Sequence, residues 1–287
     1  MSVQFDLFIH SSDVIAENDL REAIRQRDVD KAKRKLEELV EHSPEHKLSE
    51  PAKAMIEALG AVHPRDRIMA RAHLNKLEQQ WVPAAKAIFS SEARTLLASL
   101  WRASGQALEG MVFEPDDPGC HSSRAYMECD DWKAVIRVVQ AEAGFKSQPV
   151  LLERLADALW KTDQGLQAVE HWFTLCWLVP EYFEKLIDNG RIPATFLLEH
   201  WDEAGAVDVE PRISVEWYPA WVLLQQPGLA RSLENTGAET GPQRAFDLVR
   251  ELMSGGDEQL ALRRELRDIH PGLFHCFLQN PVRFSQV

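Results

Sequence analysis

The chain has 287 residues, of which 45% are hydrophobic and 27% are charged, and its formal net charge at pH 7 is −13. This length suits one large domain or two ordinary ones with a sizeable core. No segment has the biased composition of collagen, a linker or a low-complexity tail, so composition excludes a fibrous or largely disordered protein.

The first residues and the apolar runs bear on where the protein resides. Met1–His10 contains no basic residue, and its short apolar run is broken by Asp6, so we expect neither a signal peptide nor an anchor there. No window approaches the roughly 18 consecutive apolar residues that a membrane span needs. A chain of this length can build its own core, and four cysteines are too few to form a disulfide framework for it. We expect all four to be reduced. The sequence predicts a cytoplasmic protein with no membrane partner.

The negative charge is concentrated in the middle of the chain. Residues 111–220 carry a net charge of −11, whereas residues 61–110 carry +3. A surface of negative sign repels phosphates, which disfavours nucleic acid as a partner. We therefore expect the partner to be another protein or a peptide of basic or mixed charge.

In chain order, nearly every apolar periodicity has helical spacing, as in Ala32, Leu36 and Leu39. Helix starts are indicated by capping residues at Asp28, Ser49, Ser91, Asp131 and Asp163. Helix ends are indicated by Pro44, Gly110, Gly144 and Gly190. Only residues 206–217 alternate in a way that suits two short extended pieces. The sequence predicts an all-α chain.

A pattern of apolar positions recurs along the chain. It consists of a tight turn, a small residue, large residues at +4 and +7, and a proline at +12. The two full copies are Ala32, Leu36, Leu39 and Pro44, and Ala168, Trp172, Leu175 and Pro180. The two alanines are 136 residues apart, which is four periods of 34. Partial copies begin at Ala134 and at Ala70.

Packing between paired antiparallel helices explains this pattern. The small residue lets the first helix approach, the large residues fill the groove, and proline ends the helix. Over residues 13–182 the chain resembles the tetratricopeptide (TPR) repeat family at these positions. Arg27 and Asp163 depart from the family pattern, since the family prefers glycine at those two positions.

The resemblance implies a right-handed stack of antiparallel helical hairpins, a TPR-like α-solenoid, over residues 1–182. From 183 to 287 the period is lost, although Gly255–Ala261 imitates the turn and helix start once more. Terminal repeats of such a stack need a polar outer face, so we expect a divergent helical cap there. A separate small helical domain is the alternative.

Side chains with catalytic or metal-binding chemistry are sparse. The loop from Asp116 to Asp131 holds Cys120, His121 and Cys129, but their spacing does not suit a structural zinc site. Nucleophile elbows, phosphate-binding glycine loops and the zinc-protease His-Glu-x-x-His pattern are absent from the sequence. We therefore predict no catalytic, cofactor-binding or metal-binding residue and no enzymatic activity.

If the chain folds as the family does, the first helix of each repeat lines a concave surface that takes an extended peptide or a partner helix. The resemblance places Glu17, Arg21, Ile24 and Arg25 on that surface in the first repeat. It places Glu153, Asp157, Trp160 and Lys161 there in the repeat that covers residues 149–182. The function expected from these positions is that of a non-enzymatic interaction scaffold or adaptor.

Two alternatives of other functional classes stay open. The first is an enzyme or small-ligand binder with a pocket between the repeat stack and the C-terminal helices. Cys120, His121 or the Trp-rich segment 201–221 would form its wall. The second is a nucleic-acid-associated helical protein that uses the segment 61–110.

Overall fold

The computed structural model describes residues 12–254 and 259–279, and helix accounts for 76% of these residues. No strand occurs within these ranges, which confirms the all-α prediction. Residues 206–217 were expected to contain two short extended pieces. Residues 207–214 instead form a loop with a cis peptide bond between Glu210 and Pro211, residue 206 ends a helix, and Val215–Trp217 is a 3-10 turn. Met1–His10 and the turn at 255–258 lie outside the described residues, so the structure does not test the predictions made for them. None of the helices in the described ranges has the length and apolar character to cross a membrane.

The chain forms two compact units, Met1–Val138 and Val139–Val287. The helices of the first unit are α1 (Ser12–Arg25), α2 (Val29–His42), α3 (Ser49–Leu59), α4 (Arg67–Lys76), α5 (Val82–Phe89), α6 (Ala93–Leu108) and α7 (Ser122–Glu128). Helix α8 (Trp132–Gln140) contains the boundary. Within the first unit α1 packs on α2, α2 on α3, α3 on α5, and α6 on α4, α5 and α7. A π-helical turn, Leu77–Trp81, joins α4 to α5, and the side chain of Trp81 is almost fully buried.

The helices of the second unit are α9 (Pro149–Lys161), α10 (Gly165–Leu178), α11 (Pro180–Asp188), α12 (Thr195–Ala206), α13 (Tyr218–Gln225), α14 (Pro227–Ser232), α15 (Gly241–Ser254), α16 (Gln259–Ile269) and α17 (Pro271–Gln279). Helix α10 packs on α9 and α11, and α15 packs on α13, α14 and α16. The core of this unit is aromatic, with Trp172, Phe173, Phe183 and Tyr218 all almost fully buried. The repeat boundary expected at residue 182 falls inside α11 and stays a prediction.

Three of the turns between helices share one backbone geometry, which the turn at Gly190 also has (φ 61°, with the N–H of Arg191 bonded to the carbonyl of Leu186 over 2.9 Å). Each turn contains a residue with positive φ, which is 57° at Arg27, 57° at Asp130 and 60° at Asp163. The next residue donates its N–H to the carbonyl five positions earlier, over 3.0 Å, 3.0 Å and 2.9 Å respectively. This is the Schellman ending of a helix, which favours glycine at the left-handed position. Arg27 and Asp163 therefore adopt a conformation that glycine takes most readily.

The predicted caps are confirmed at several positions. The side chain of Asp28 accepts a hydrogen bond from the N–H of Lys31 (2.9 Å), and that of Asp131 accepts one from Ala134 (3.3 Å). Gly110 and Gly190 have positive φ just after α6 and α11 end, whereas Gly144, also with positive φ, lies four residues after the end of α8 and directly before a 3-10 turn. The prediction was wrong at three positions. Ser49 is already the first residue of α3, and Ser91 lies in a 3-10 turn before α6. Asp163 is the left-handed residue of its turn, two positions before α10 begins.

Ala32 and Ala168, the small residues of the two full pattern copies, are both fully buried within their hairpins. We expect Ala168→Leu to lower the free energy of unfolding by about 1–3 kcal/mol, because extra methylenes would force α9 and α10 apart. Gln167→Leu is the matched control, since Gln167 is exposed on the same helix. Urea unfolding followed by circular dichroism measures both variants. Equal stability of the two variants would contradict close packing at Ala168.

Candidate functional site

The predicted partner-binding residues of the first unit are largely engaged within the unit. Glu17 accepts from Arg21 (2.6 Å) and lies 3.3 Å from His46. Arg21 also donates to the carbonyl of Ile88 (2.7 Å). Arg25 pairs with Glu92 (3.0 Å), and its guanidinium lies over the ring of Phe89. Ile24 is fully buried in the core. These contacts hold α1 against α5 and α6 and leave Arg25 as the exposed member of the set.

Glu153, on α9 in the second unit, is a buried carboxylate whose charge is already paired. It is only 5% exposed, and it accepts hydrogen bonds from the hydroxyl of Tyr182 and the guanidinium of Arg191. Burying a carboxylate is costly unless it is paired and hydrogen-bonded, as it is here. Its role in the structure is to tie α9 to α11 and to the loop that follows α11.

Asp157 lies one helical turn after Glu153 and is half-buried without the same compensation. Burial, followed by the negative charge of Glu153, raises the pKa of Asp157 from 3.8 to about 7. Arg191 and Lys161 oppose that shift through their positive charges. Asp157 is thus protonated for much of the time near neutral pH.

Trp160 and Lys161 end helix α9. The ring of Trp160 packs on Trp172 (centroids 5.6 Å apart) and on Phe196 (6.3 Å). Lys161 is exposed. The structure thus brings Glu153 and Asp157 together on one face of α9, while Trp160 joins an aromatic cluster with residues of α10 and α12.

The segment 116–131, which was expected to be a loop, contains helix α7 (Ser122–Glu128), and its Cys and His side chains contact neighbouring residues. Cys120 accepts a hydrogen bond from Arg71 (3.2 Å), and the ring of His121 accepts from the N–H of Ser123 (3.3 Å) at the start of α7. Cys129 is buried, and burial raises the pKa of its thiol. No group of three or more His, Cys, Asp or Glu side chains in the described part of the chain is arranged to hold a metal ion.

The basic segment 61–110 is largely neutralised by neighbouring acids. Five of its seven Lys and Arg side chains form ion pairs: Arg67 with Glu114, Arg71 with Asp117, Lys76 with Glu57, Arg94 with Asp130, and Arg102 with Asp131. Phosphate groups would have to compete with these carboxylates for each base. The arrangement weakens the nucleic-acid alternative, because that alternative needs unpaired positive charge.

A groove in the second unit, the Trp201 groove, combines an aromatic side chain with unpaired acids. Its volume is about 630 Å³. Helices α11 and α12 and the loop that follows α12 form its walls. Its lining residues are Pro180, Glu181, Glu184, Trp201, Asp202, Ala204, Gly205 and the run Arg212–Glu216. A volume of this size accommodates one or two side chains of a partner.

The walls of the Trp201 groove are fixed by buried contacts. The ring of Trp201 meets that of the buried Tyr218 edge to face, with centroids 5.3 Å apart. The hydroxyl of Tyr218 donates to the carbonyl of Leu197 on α12. On the loop side, Trp177 donates its indole N–H to the carbonyl of Glu216 (3.0 Å). The groove is therefore formed before any partner arrives.

Negative charge dominates the lining. Four acids of the lining form no ion pair with any described residue: Glu181, Glu184, Asp202 and Glu216. Arg212 is the one basic residue of the lining. The groove thus has three more negative than positive groups around an apolar centre of Trp201, Ile213 and Val215.

Sequence reasoning named the Trp-rich segment 201–221 as a possible pocket wall but did not find the acids that face it. Glu181 and Glu184 are three positions apart on α11 and therefore lie on one face of that helix. This spacing is the one sequence pattern that indicates the acidic rim of the Trp201 groove. Their proximity to Asp202 and Glu216 depends on the fold and has no local signal.

Comparison of the chain with models of known protein families, with curated proteins and with solved structures finds no match. The assignment of function therefore depends on the geometry and charge of the sites described above.

Proposed function

We propose that the protein is a non-enzymatic scaffold or adaptor that binds a basic or mixed-charge segment of another protein, on a TPR-like stack of helical hairpins. The observation that carries this proposal is the Trp201 groove, a preformed apolar groove with a rim of unpaired carboxylates. The shared left-handed turns at Arg27, Asp130 and Asp163 support the repeat character of the helices. Residues 111–220, which contain the whole lining of the groove, carry a net charge of −11, and this sign attracts a basic partner.

Recognition follows from the chemistry of the lining. An arginine or lysine of the partner can place its charged end among Glu181, Glu184 and Asp202 and its aliphatic stem against Trp201. A desolvated aromatic anchor carries most of the affinity of such an interface, whereas rim charges mainly steer the encounter. The Trp201 groove suits this role better than the positions around Glu153, because Arg191 already neutralises that carboxylate.

The test uses two short fluorescein-labelled peptides of equal length, one with alternating arginine and leucine and one with alternating glutamate and leucine. We expect the full-length protein to bind the first peptide and not the second. Trp201→Ala should weaken this binding by about 2 kcal/mol or more, since it removes the anchor. Glu181→Gln with Glu184→Gln should mainly slow association and flatten its salt dependence. Fluorescence anisotropy and stopped-flow mixing measure the two effects.

The matched control is Glu37→Gln with Glu41→Gln, which makes the same charge change on exposed residues of α2. We expect this variant to bind like the unmodified protein. If it loses as much affinity as the groove variant, binding follows net charge alone and the groove assignment fails. Failure of the arginine peptide to bind at all would also overturn the proposal.

A further inference from the structure

A second cavity of the same unit, the Trp177 cavity, has different chemistry. It has a volume of about 360 Å³ and lies between α10 and the segment 233–246. Its lining includes the aromatic residues Phe173, Trp177 and Phe246 and the acids Glu170 and Glu234. The volume is within the range of small-molecule sites.

The floor of the Trp177 cavity is a fixed aromatic surface. Phe246 meets Phe173 and Trp177 edge to face, with ring centroids 5.8 Å and 5.4 Å apart. Phe173 and Phe246 are almost fully buried, whereas Trp177 is half-buried. The hydrogen bond from the indole N–H of Trp177 to the carbonyl of Glu216 (3.0 Å) fixes the orientation of that ring. Aromatic faces in such an arrangement attract cations.

Two carboxylates line the cavity from different elements. Glu170 is on α10, and Glu234 is on the segment that precedes α15. Within the described residues, neither side chain has an ion-pair or hydrogen-bond partner. Burial, and then the negative charge of Glu234, raises the pKa of Glu170. The two acids therefore interact unfavourably with each other, and Lys146, which is exposed, is the one Lys or Arg among the lining residues.

The wall that carries Glu234 is held in place by hydrogen bonds. Thr236 donates from its N–H (2.9 Å) and its hydroxyl (3.0 Å) to the carboxylate of Asp247, which is almost fully buried. Asn235 accepts from Arg250 (2.9 Å), and the side-chain oxygen of Gln243 accepts from the N–H of Thr240 (3.0 Å). The cavity is thus preformed, which lowers the entropic cost of binding a ligand.

We infer that the Trp177 cavity binds a small organic ammonium ion, with its positive group between Glu170 and Glu234 and its apolar body on the aromatic floor. Anionic ligands are disfavoured by the two carboxylates. Ca²⁺ takes six to eight oxygen ligands, and among the described residues no three or more His, Cys, Asp or Glu side chains are arranged to hold a metal ion. Burial lowers the pKa of His171 to about 4, so this ring adds no positive charge at neutral pH, and Lys146 at the rim is exposed. This inference does not depend on the Trp201 groove.

Isothermal titration calorimetry with choline and butylamine tests the inference on the full-length protein. The neutral analogue of choline, in which a tert-butyl group replaces the trimethylammonium group, has the same shape without the charge. We expect an ammonium probe to bind with one site per chain and at least about tenfold more tightly than its neutral analogue. Glu234→Gln should abolish that preference, because it keeps the shape of the wall and removes its charge.

Glu239→Gln is the matched control, since Glu239 is exposed on the same segment and is not part of the lining. A short peptide that carries trimethyllysine tests whether the ammonium group belongs to a free compound or to a partner's side chain. The inference is supported whichever of the two, the free compound or the peptide, binds more tightly. Two results would overturn it: no ammonium probe binds with one site per chain, or Glu234→Gln and Glu239→Gln reduce binding equally.

Discussion

Replacing Trp160 by alanine is expected to lower the free energy of unfolding of the protein by about 3–5 kcal/mol. The indole packs between Trp172 and Phe196, with ring centroids at 5.6 Å and 6.3 Å. The turn that follows α9 approaches it closely, since a Cβ atom on Gly165 would lie 3.4 Å from the ring. Truncation would leave a cavity at the contact of three helices, and urea unfolding followed by circular dichroism measures the loss.

Leu166→Ala provides the control for this experiment. Leu166 lies on α10 next to Gly165 and is 44% exposed, so its truncation should change the free energy of unfolding by less than about 0.5 kcal/mol. Binding of the arginine peptide should be measured on the same Trp160→Ala protein. A variant that keeps its stability and loses peptide binding would show that Trp160 contacts the partner and is not a core residue.

Local signals predicted the helical character of the chain and several helix ends. Capping by Asp28 and Asp131 depends on residues within one turn, and the positive φ of Gly110, Gly144 and Gly190 follows from glycine's own conformational freedom. Aspartate favours the N-cap position, which predicts a cap at Asp163, yet the turn needs a left-handed residue there. Aspartate also tolerates that conformation, so residue type alone does not distinguish the two positions.

The sites depend on contacts that no local pattern contains. Glu153 occupies a position where the TPR resemblance places a surface residue, but Tyr182 and Arg191 cover and pair it. The acids of the Trp201 groove come from three segments, of which only the pair Glu181 and Glu184 is local. Burial of a charged residue depends on partners that are distant in sequence, and spacing within one helix does not reveal them.

Asp157→Asn is expected to make the protein more stable at pH 8 by about 2–4 kcal/mol and to leave its stability nearly unchanged at pH 4. Burial and the charge of Glu153 raise the pKa of Asp157 from 3.8 to about 7 in the folded state, so between these values the folded protein holds a proton that the unfolded chain has released. The stabilisation that this bound proton provides is complete below the pKa of Asp157 in the unfolded chain. It is lost as pH rises through the pKa of Asp157 in the folded protein. Asparagine resembles the protonated aspartate and removes this dependence. Urea unfolding from pH 4 to 8 should show the difference, and Asp188→Asn, which makes the same change on an exposed residue at the end of α11, is the control. A stability difference between Asp157→Asn and the unmodified protein that is constant over this range would contradict the raised pKa.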